Sequence, residues 1–354
     1  MIMKKNNKTK RPFAFASAVL LALICAVPSG AGAESGKMLI PGGMAFGVKF
    51  FTDGAIVLGT TGVETAAGIV SPAKDAGIVA GDVIIRAGGS GFATAEELSQ
   101  IIAGSGGKPI TLAYMRGEDE KTCEVTPVRE IESGRYLIGV FVRDSAAGIG
   151  TVTYIDPDDL TFGGLGHGIY DTDTSLLLPL GSGAVVEVDI DQVVRSRRNS
   201  PGELRGTFGT AAKGELTSNT EQGVFGKLYK LPANAGKAIP VGNKKDLHDG
   251  KAYVITTLDG TKSEAYGIEI EEVYPDSGKT KNFLIKVTDE RLIEKAGGIV
   301  QGMSGSPIVM DGRLVGAVTH VLINDPLHGY GISIENMLGT ESSAPELYGV
   351  PKAA

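Results

Sequence analysis

The chain has 354 residues, enough for two domains and accessory segments at about 150 residues per domain. Its 42% hydrophobic and 21% charged residues are typical of a globular protein and exclude a disordered or collagen-like chain. The 51 glycines, with only 6% aromatic residues, indicate many turns between short strands and disfavour a helical bundle.

The charge of the chain is acidic. The net charge is -7 at pH 7, and five of the 34 basic residues lie within residues 4–11, so the remainder is more acidic still. Nothing in it resembles a nucleic-acid-binding surface, and no nucleic-acid partner is predicted. The one dense basic cluster, Arg195, Arg197 and Arg198, is typical of a solvated strand end or loop.

The N-terminus has the three parts of a secretory signal. Residues 4–11 are basic, residues 13–27 are apolar, and residues 31–33 (Ala-Gly-Ala) place small residues where signal peptidase cuts. The sequence therefore predicts that residues 1–33 export the chain, either as a cleaved signal peptide or as an uncleaved membrane anchor. Removal of Cys25 with the signal would leave Cys123, predicted to be a small buried apolar residue, as the single thiol.

Residues 42–130 predict a first β-rich domain, because short apolar stretches alternate with glycine turns. Residues 71–85 resemble the Ser-Pro-Ala and Gly-Asp run of PDZ domains in bacterial proteases. A short helix from Ala73 is expected to end at Gly77 in a left-handed conformation. A second helix is expected over residues 95–103, with Thr94 as its N-cap.

A PDZ module binds a peptide between such a helix and a facing strand. The candidates for that strand are Phe46, Gly47 and Val48, with residues 42–43 (Gly-Gly) as the receptor for a peptide carboxylate. A small β-rich domain that binds no peptide is the alternative.

Residues 135–350 predict a second domain made of repeated short strands. Turn signals such as residues 156–157 (Asp-Pro) and 311–312 (Asp-Gly) separate its apolar stretches. This pattern is typical of an all-β barrel or a pair of barrels.

A glycine loop with two serines is the most informative motif of this domain. Residues 302–307 read Gly-Met-Ser-Gly-Ser-Pro, and chymotrypsin-like serine proteases carry their nucleophile in a loop of this form. We predict Ser304 as the nucleophile, because Ser306 takes the place of the last glycine of the usual loop. The N–H groups of Gly302 and Ser304 are the predicted oxyanion hole, which is worth about 3 kcal/mol in the transition state. A serine-rich turn without chemistry is the alternative.

A serine nucleophile needs a base, and the chain has four histidines. We predict His167 as the base, because glycines frame it at residues 163–168 and it precedes Ser304 in the chain. His248 lies in a charged loop and His328 in a turn, while His320 is equally suited to a pocket and to a core. The spacing of these histidines does not suit a metal site, so no metal or other cofactor is predicted.

An acid that orients the imidazole completes such a site. Asp289 follows an apolar stretch, lies 15 residues before Ser304 and is the preferred candidate. Asp171 and Asp173, which are close to His167 in sequence, are the alternatives.

In this order the motifs resemble the stage IV sporulation protein B peptidase family. The likeness is carried by residues 163–167 (Gly-Gly-Leu-Gly-His), 298–308, 316–321 and 324–326. It implies a PDZ domain followed by a chymotrypsin-like double β-barrel serine peptidase domain, with His167, Asp289 and Ser304 as the triad. Ser306 in place of a glycine, and a PDZ domain ahead of the catalytic one, depart from the common periplasmic PDZ proteases.

The resemblance also implies a role. Members of the family are exported into the space between forespore and mother cell, where they cleave a regulatory membrane protein and thereby trigger processing of a sigma-factor precursor. Their PDZ region helps to recognise the target and governs self-cleavage. A catalytically inactive exported binding protein, whose PDZ groove tethers a membrane partner, is the alternative function, and an exported protease of broad specificity is a third.

Overall fold

The computed structural model describes residues 36–274 and 280–341. The predicted signal or anchor over residues 1–33, with Cys25, lies outside this part of the chain. Within it, every helix is too short or too polar to cross a membrane. Strands dominate, so the prediction of a mainly β fold is confirmed.

The first two strands are β1 (Met38–Pro41) and β2 (Ala45–Thr60). β2 is shared by two parts of the fold. Its first half belongs to a β-barrel, whereas its second half belongs to a smaller subdomain. Gly54, with a left-handed φ of 97°, lies between the two halves, where a residue with a side chain would be strained.

The smaller part, here called the inserted subdomain, consists of the second half of β2 and residues 61–139. Its core is formed around Ile84, Leu98 and Leu112. Thr94 caps its longer helix, and Gly77 ends the shorter one with a φ of 83°, both as predicted. Its elements are β3 (Val63–Thr65), β4 (Gly68–Val70), α1 (Pro72–Asp75), β5 (Val83–Ala87), α2 (Ala95–Gly104), β6 (Ile110–Arg116), β7 (Asp119–Val125), β8 (Val128–Arg129) and β9 (Tyr136–Leu137).

The chain then returns to the first barrel, barrel one. Its remaining strands are β10 (Val140–Ile155), β11 (Thr161–Gly164), β12 (Leu180–Val194), β13 (Glu203–Thr220) and β14 (Gly223–Leu228), followed by the short β15 (Ile239–Pro240). Antiparallel pairing runs from β2 through β10, β11, β14, β13 and β12 and returns to β2, which closes the ring. Phe46, Phe50 and Phe162 fill its interior.

Barrel two follows a 3-10 turn at Lys244–Asp246. Six strands close it in the order β16, β17, β18, β21, β20, β19. Two barrels in one chain confirm the predicted double-barrel fold. The elements are β16 (Gly250–Thr257), β17 (Ser263–Val273), β18 (Phe283–Val287), α3 (Glu290–Ala296), β19 (Pro307–Met310), β20 (Arg313–Leu322), β21 (Asp325–Ser333) and α4 (Ile334–Glu341).

The boundaries of the predicted domains need correction. We predicted a PDZ domain over residues 42–130 that precedes a peptidase domain over residues 135–350. Instead, the start of β2 closes barrel one, so the smaller subdomain is inserted between two strands of that barrel. A strand that is buried on both faces has the same apolar sequence pattern in either domain, so only its pairing partners show to which domain it belongs.

The predicted peptide-binding role of Phe46, Gly47 and Val48 is wrong. Each of them pairs with β10 on one side and with β12 on the other. The N–H groups of residues 42 and 43 donate to carbonyls of β10 at 3.0 and 2.8 Å. A peptide that joins a sheet needs a free strand edge, and a carboxylate needs free N–H groups, so neither can bind here.

α2 lies beside β9 and the first part of β10. α2 contacts this stretch, and the N–H of Ala95 donates to the Asp144 carboxylate at 2.7 Å. On its way back to barrel one, the chain therefore supplies the strand that a PDZ groove places next to its helix.

Candidate active site

Ser304 lies in a tight loop between α3 and β19. Gly302 and Gly305, with φ angles of 97° and 90°, turn the backbone around it. Its hydroxyl donates to the carbonyl of Thr319 at 3.1 Å. In the described part of the chain, the N–H groups of Gly302 and Ser304 donate to no acceptor. The N–H of Gly305, by contrast, donates to the carbonyl of Val318. Two unused N–H groups beside a serine hydroxyl are what an oxyanion hole requires.

Two buried threonines of β10 hold this loop from barrel one. The hydroxyl of Thr151 donates to the Gly302 carbonyl at 2.8 Å, and that of Thr153 donates to the Gly305 carbonyl at 2.7 Å. The N–H of Thr151 also donates to the Ser304 carbonyl at 3.0 Å. A Cβ at Gly305 would lie 2.2 Å from the carbonyl oxygen of Thr151, so loop and strand are in direct contact. Barrel one therefore fixes the position of a loop that belongs to barrel two.

Ser306, the other serine of the loop, is fully buried. Its hydroxyl lies 3.4 Å from that of Thr151. A hydroxyl without solvent exposure cannot meet a substrate, so of the two serines Ser304 alone is accessible.

His167 follows β11 on a tightly turned segment. Leu165 and Gly166 take left-handed φ angles of 64° and 68°. The N–H of Leu165 donates to the carbonyl of Thr151 at 3.2 Å, so Thr151 contacts the histidine segment as well as the serine loop. A Cβ at Gly166 would lie 2.9 Å from the methyl group of Thr319. The turn thus brings His167 against the strand that also receives the Ser304 hydroxyl.

The tautomer of His167 follows from its hydrogen bond. Its Nδ1 lies 2.8 Å from the Gly168 carbonyl oxygen, which can only accept, so Nδ1 carries the proton. Nε2 of the neutral ring then has a free lone pair. Burial lowers the pKa of His167 from its usual 6.5, although the bond to Gly168 acts in the opposite direction. The ring is therefore neutral at pH 7, as a general base must be.

His167 and Ser304 line one cavity of about 410 Å³. Ile149 of β10 and Gln301 of the serine loop are also part of its wall. The serine hydroxyl bonds to Thr319 and not to His167, so the proton-transfer contact of an active enzyme is not made in this arrangement. The two residues therefore line one cavity, and the Ser304 hydroxyl must rotate to reach the imidazole.

Asp289 does not contact His167, which corrects the predicted role of Asp289 as the orienting acid. It is the N-cap of α3, and its carboxylate accepts from the N–H groups of Gly267 and Arg291 at 3.1 and 3.0 Å. The Arg291 guanidinium, 2.9 Å away, lowers the pKa of Asp289 to about 2. An acidic residue before a short helix that ends at Gly297 is a capping pattern, and this signal was readable in the sequence.

The alternative acids, Asp171 and Asp173, do not contact His167 either. Asp171 is buried, and Arg143 of β10 forms ion pairs with both carboxylates. Burial would raise the pKa of Asp171, but bonds from Thr174 and Arg143 outweigh it and lower the pKa. In the described part of the chain, the acceptor on Nδ1 of His167 is thus the Gly168 carbonyl and not a carboxylate.

The other histidines differ in their surroundings. His248 bonds to Asp311 and His328 to Asp325, both at the surface. The ring centroid of His320 lies 5.5 Å from that of His167, so His320 belongs to the site. Partial burial, His167 and Lys281 lower the pKa of His320 to about 4.

A double barrel with a serine and a neutral histidine on one cavity is the fold and site of a serine endopeptidase. The protein-family model for SpoIVB peptidase S55 matches residues 134–338, more than half of the chain. The chain therefore belongs to the SpoIVB peptidase S55 family, which confirms the resemblance noted in the sequence. No curated protein matches it significantly.

Solved structures give weaker likenesses. The PDZ domain of the SdrC-like protein from Listeria monocytogenes is 23% identical, covers 25% of this chain and 87% of its own, and has a TM-score of 0.21. The active form of the Rv3671c protease from M. tuberculosis is 16% identical, covers 59% of this chain and 79% of its own, and has a TM-score of 0.35. The HtrA-type protease AlgW with a decapeptide is 12% identical, covers 60% of this chain and 57% of its own, and has a TM-score of 0.33. All three TM-scores lie below 0.5, so the family assignment rests on the family model and the fold on the strand pairing.

We expect Thr151→Val to slow the reaction of Ser304 with a fluorophosphonate about tenfold, because a lost buried hydrogen bond of about 1–1.5 kcal/mol displaces the loop. The second-order labelling rate measures this effect. Thr207→Val, which removes an exposed hydroxyl bonded to Asp191, is the control and should keep the parental rate. An unchanged rate in Thr151→Val would show that the loop holds its position without barrel one.

We expect Asp289→Asn to keep the labelling rate within about fivefold of the parental rate, because the carboxylate contacts no reacting group. The same substitution of an aspartate that orients a catalytic histidine lowers the rate by about four orders of magnitude. Asparagine is also a good N-cap, so α3 should persist. A loss of a hundredfold or more would mean that Asp289 reaches His167 in the reacting enzyme.

Proposed function

We propose that this serine endopeptidase acts outside the cytoplasm, where it cleaves a regulatory membrane protein and so triggers processing of a sigma-factor precursor. The observation that supports the chemistry is the shared cavity of Ser304 and His167, with unused N–H groups at Gly302 and Ser304. The family assignment supports the signalling role, since the family is described by the name SpoIVB peptidase.

Acylation follows from the geometry of the site. The Ser304 oxygen attacks the scissile carbonyl carbon and passes its proton to Nε2 of His167. The Nδ1–H of the resulting imidazolium remains bonded to the Gly168 carbonyl. The carbonyl oxygen becomes an oxyanion, and the N–H groups of Gly302 and Ser304 stabilise its charge. When the tetrahedral intermediate collapses, the C–N bond breaks and Nε2 returns the proton to the leaving amine.

Deacylation repeats these steps with water. His167 takes a proton from the water as its oxygen attacks the acyl carbon, and then gives that proton to the Ser304 oxygen as the ester bond breaks. The second product leaves with a new carboxyl group, and the enzyme returns to its starting state.

The place of action rests on the sequence. A basic stretch, an apolar run and a small-residue site within residues 1–33 support export. We propose the space between forespore and mother cell, with the protein close to a membrane and either freed from its signal or held by it. The substrate is then a protein segment presented at the membrane surface.

The inserted subdomain is proposed to recruit the substrate and to govern self-cleavage. Arg143 supports a connection between the two parts of the molecule. It lies on β10, which pairs with β2 in this subdomain, and it forms ion pairs with Asp171 and Asp173 in the segment after His167. A peptide bound beside α2 would therefore act on a strand that continues past the catalytic site.

We expect Ser304→Ala to abolish fluorophosphonate labelling, and His167→Ala to slow turnover of a peptide substrate about a thousandfold or more, because the pair acts as a unit. Mass spectrometry should place the label on Ser304 and not on Ser306. His248→Ala, which removes a surface imidazole bonded to Asp311, is the matched control and should retain the parental turnover. Labelling that survives in Ser304→Ala would show that another residue is the nucleophile, whereas a parental protein that is neither labelled nor active would favour the inactive binding protein.

Labelling should also depend on pH through His167. Because burial disfavours the charged ring, its folded pKa lies below 6.5, and the base stays neutral and active until the pH falls through that lower value. The labelling rate, measured from neutral to acidic pH, should therefore reach half its plateau below pH 6.5. A midpoint above this value would contradict the assignment of a buried base.

A further inference from the structure

A second pocket, of about 210 Å³, opens beside Ser304. It lies between the serine loop and the end of β20. Its apolar walls are Ile299, Val300, Val318 and Val321, and polar side chains are supplied by Gln301 and His320. The pocket has Ser304 and Gln301 in common with the larger cavity that contains His167.

The end of β20 offers a peptide a strand edge. β19 pairs with β20 only as far as Ala317, and the serine loop then bonds to Val318. Beyond Val318, the described strands pair β20 with β21 alone. A peptide added along this edge can place its scissile carbonyl at the N–H groups of Gly302 and Ser304. The side chain before the scissile bond, the P1 side chain, then enters the pocket.

Among the described residues, no hydrogen-bond partner is found for either ring nitrogen of His320. The other three each have a partner: Gly168 for His167, Asp311 for His248 and Asp325 for His328. The imidazole of His320 thus presents a donor and an acceptor at a pocket whose walls are mostly apolar.

We propose that His320 selects substrates that carry an uncharged amide, glutamine above all, at P1. This inference rests on the proposed peptidase function and adds its substrate preference. The apolar walls would pack against the two methylene groups of glutamine, and the imidazole would exchange hydrogen bonds with the amide. A site built to bond a polar side chain discriminates strongly against one that cannot, because its own polar group then loses its partner.

The hydrogen-bonding groups of His320 favour an amide over a carboxylate. Lys281 lies before β18, and Glu221 lines a small cavity together with His320, His167 and Tyr170. The positive charge of Lys281 acts on the ring and disfavours protonation of the imidazole. With its pKa near 4 the ring is neutral at pH 7, and a neutral imidazole donates one hydrogen bond and accepts one. An amide matches both, whereas an ionised carboxylate only accepts.

The test uses fluorogenic peptides that differ only at P1, with glutamine, glutamate or leucine there and randomised flanking positions. We expect kcat/KM for glutamine to exceed that for each of the others at least about tenfold. His320→Ala should abolish the preference, so that the glutamine and leucine values become equal within about threefold. His320→Gln, which keeps a donor and an acceptor, should restore part of the preference, and His248→Ala should preserve it in full.

The outcomes separate this inference from the peptidase function. An equal loss for glutamine and leucine peptides in His320→Ala, or a parental enzyme that prefers leucine or glutamate, overturns the proposed role of His320. Fluorophosphonate labelling of Ser304 without cleavage of the glutamine peptides overturns it as well, but leaves the nucleophile in place. Absence of both labelling and cleavage contradicts the peptidase function itself. If His320→Ala does not fold, as judged by circular dichroism, the ratio in His320→Gln decides.

Discussion

The contacts of Thr151 connect the two halves of the catalytic site. Its hydroxyl and its N–H hold the serine loop of barrel two, and its carbonyl accepts from the segment that carries His167. Nucleophile and base lie on different barrels, so their separation depends on how the barrels meet. A buried strand residue with three such bonds fixes this geometry more firmly than either loop could alone. If one of these bonds is broken, a buried polar group is left unpaired.

The support of the base is the second consequence of this architecture. In a triad, a carboxylate holds the imidazole and stabilises its positive charge, whereas here Nδ1 of His167 donates to the Gly168 carbonyl. A carbonyl fixes the same tautomer, but a hydrogen bond between an imidazolium and a neutral acceptor is weaker than one to a carboxylate. The hydroxyl of Ser304 also donates to Thr319 rather than to His167. In this arrangement the serine and the histidine line one cavity, but the hydroxyl does not donate to the imidazole.

The inserted subdomain is tied to this site through shared strands. β2 passes from barrel one into the subdomain, and β10 returns from it to carry Thr151 and Thr153. Arg143 of β10 contacts the segment that follows His167. A flexible linker would separate the two parts mechanically, whereas here hydrogen-bonded strands run from one part into the other. These strands are the structural route for the control of the peptidase that we propose for the subdomain.

The sequence alone determined the β-rich fold, the caps of α2 and α1, the accessible serine and the glycine-framed histidine, because each of these depends on local conformation or on residue chemistry within a short motif. It did not decide which strands close barrel one, since Phe46, Gly47 and Val48 have the same buried pattern in a barrel as in a peptide-binding domain. Nor did it decide the partner of His167, because Asp289 and the Gly168 carbonyl are both acceptors and only their distances from the imidazole distinguish them.

Thr151 could not be recognised from the sequence at all, because a threonine in a strand is ordinary. Its importance arises when two loops distant in the chain meet at its backbone and hydroxyl. Tertiary structure settled these points, since strand partners and contacts across barrels are set by the packing of the whole chain and not by the residues on either side.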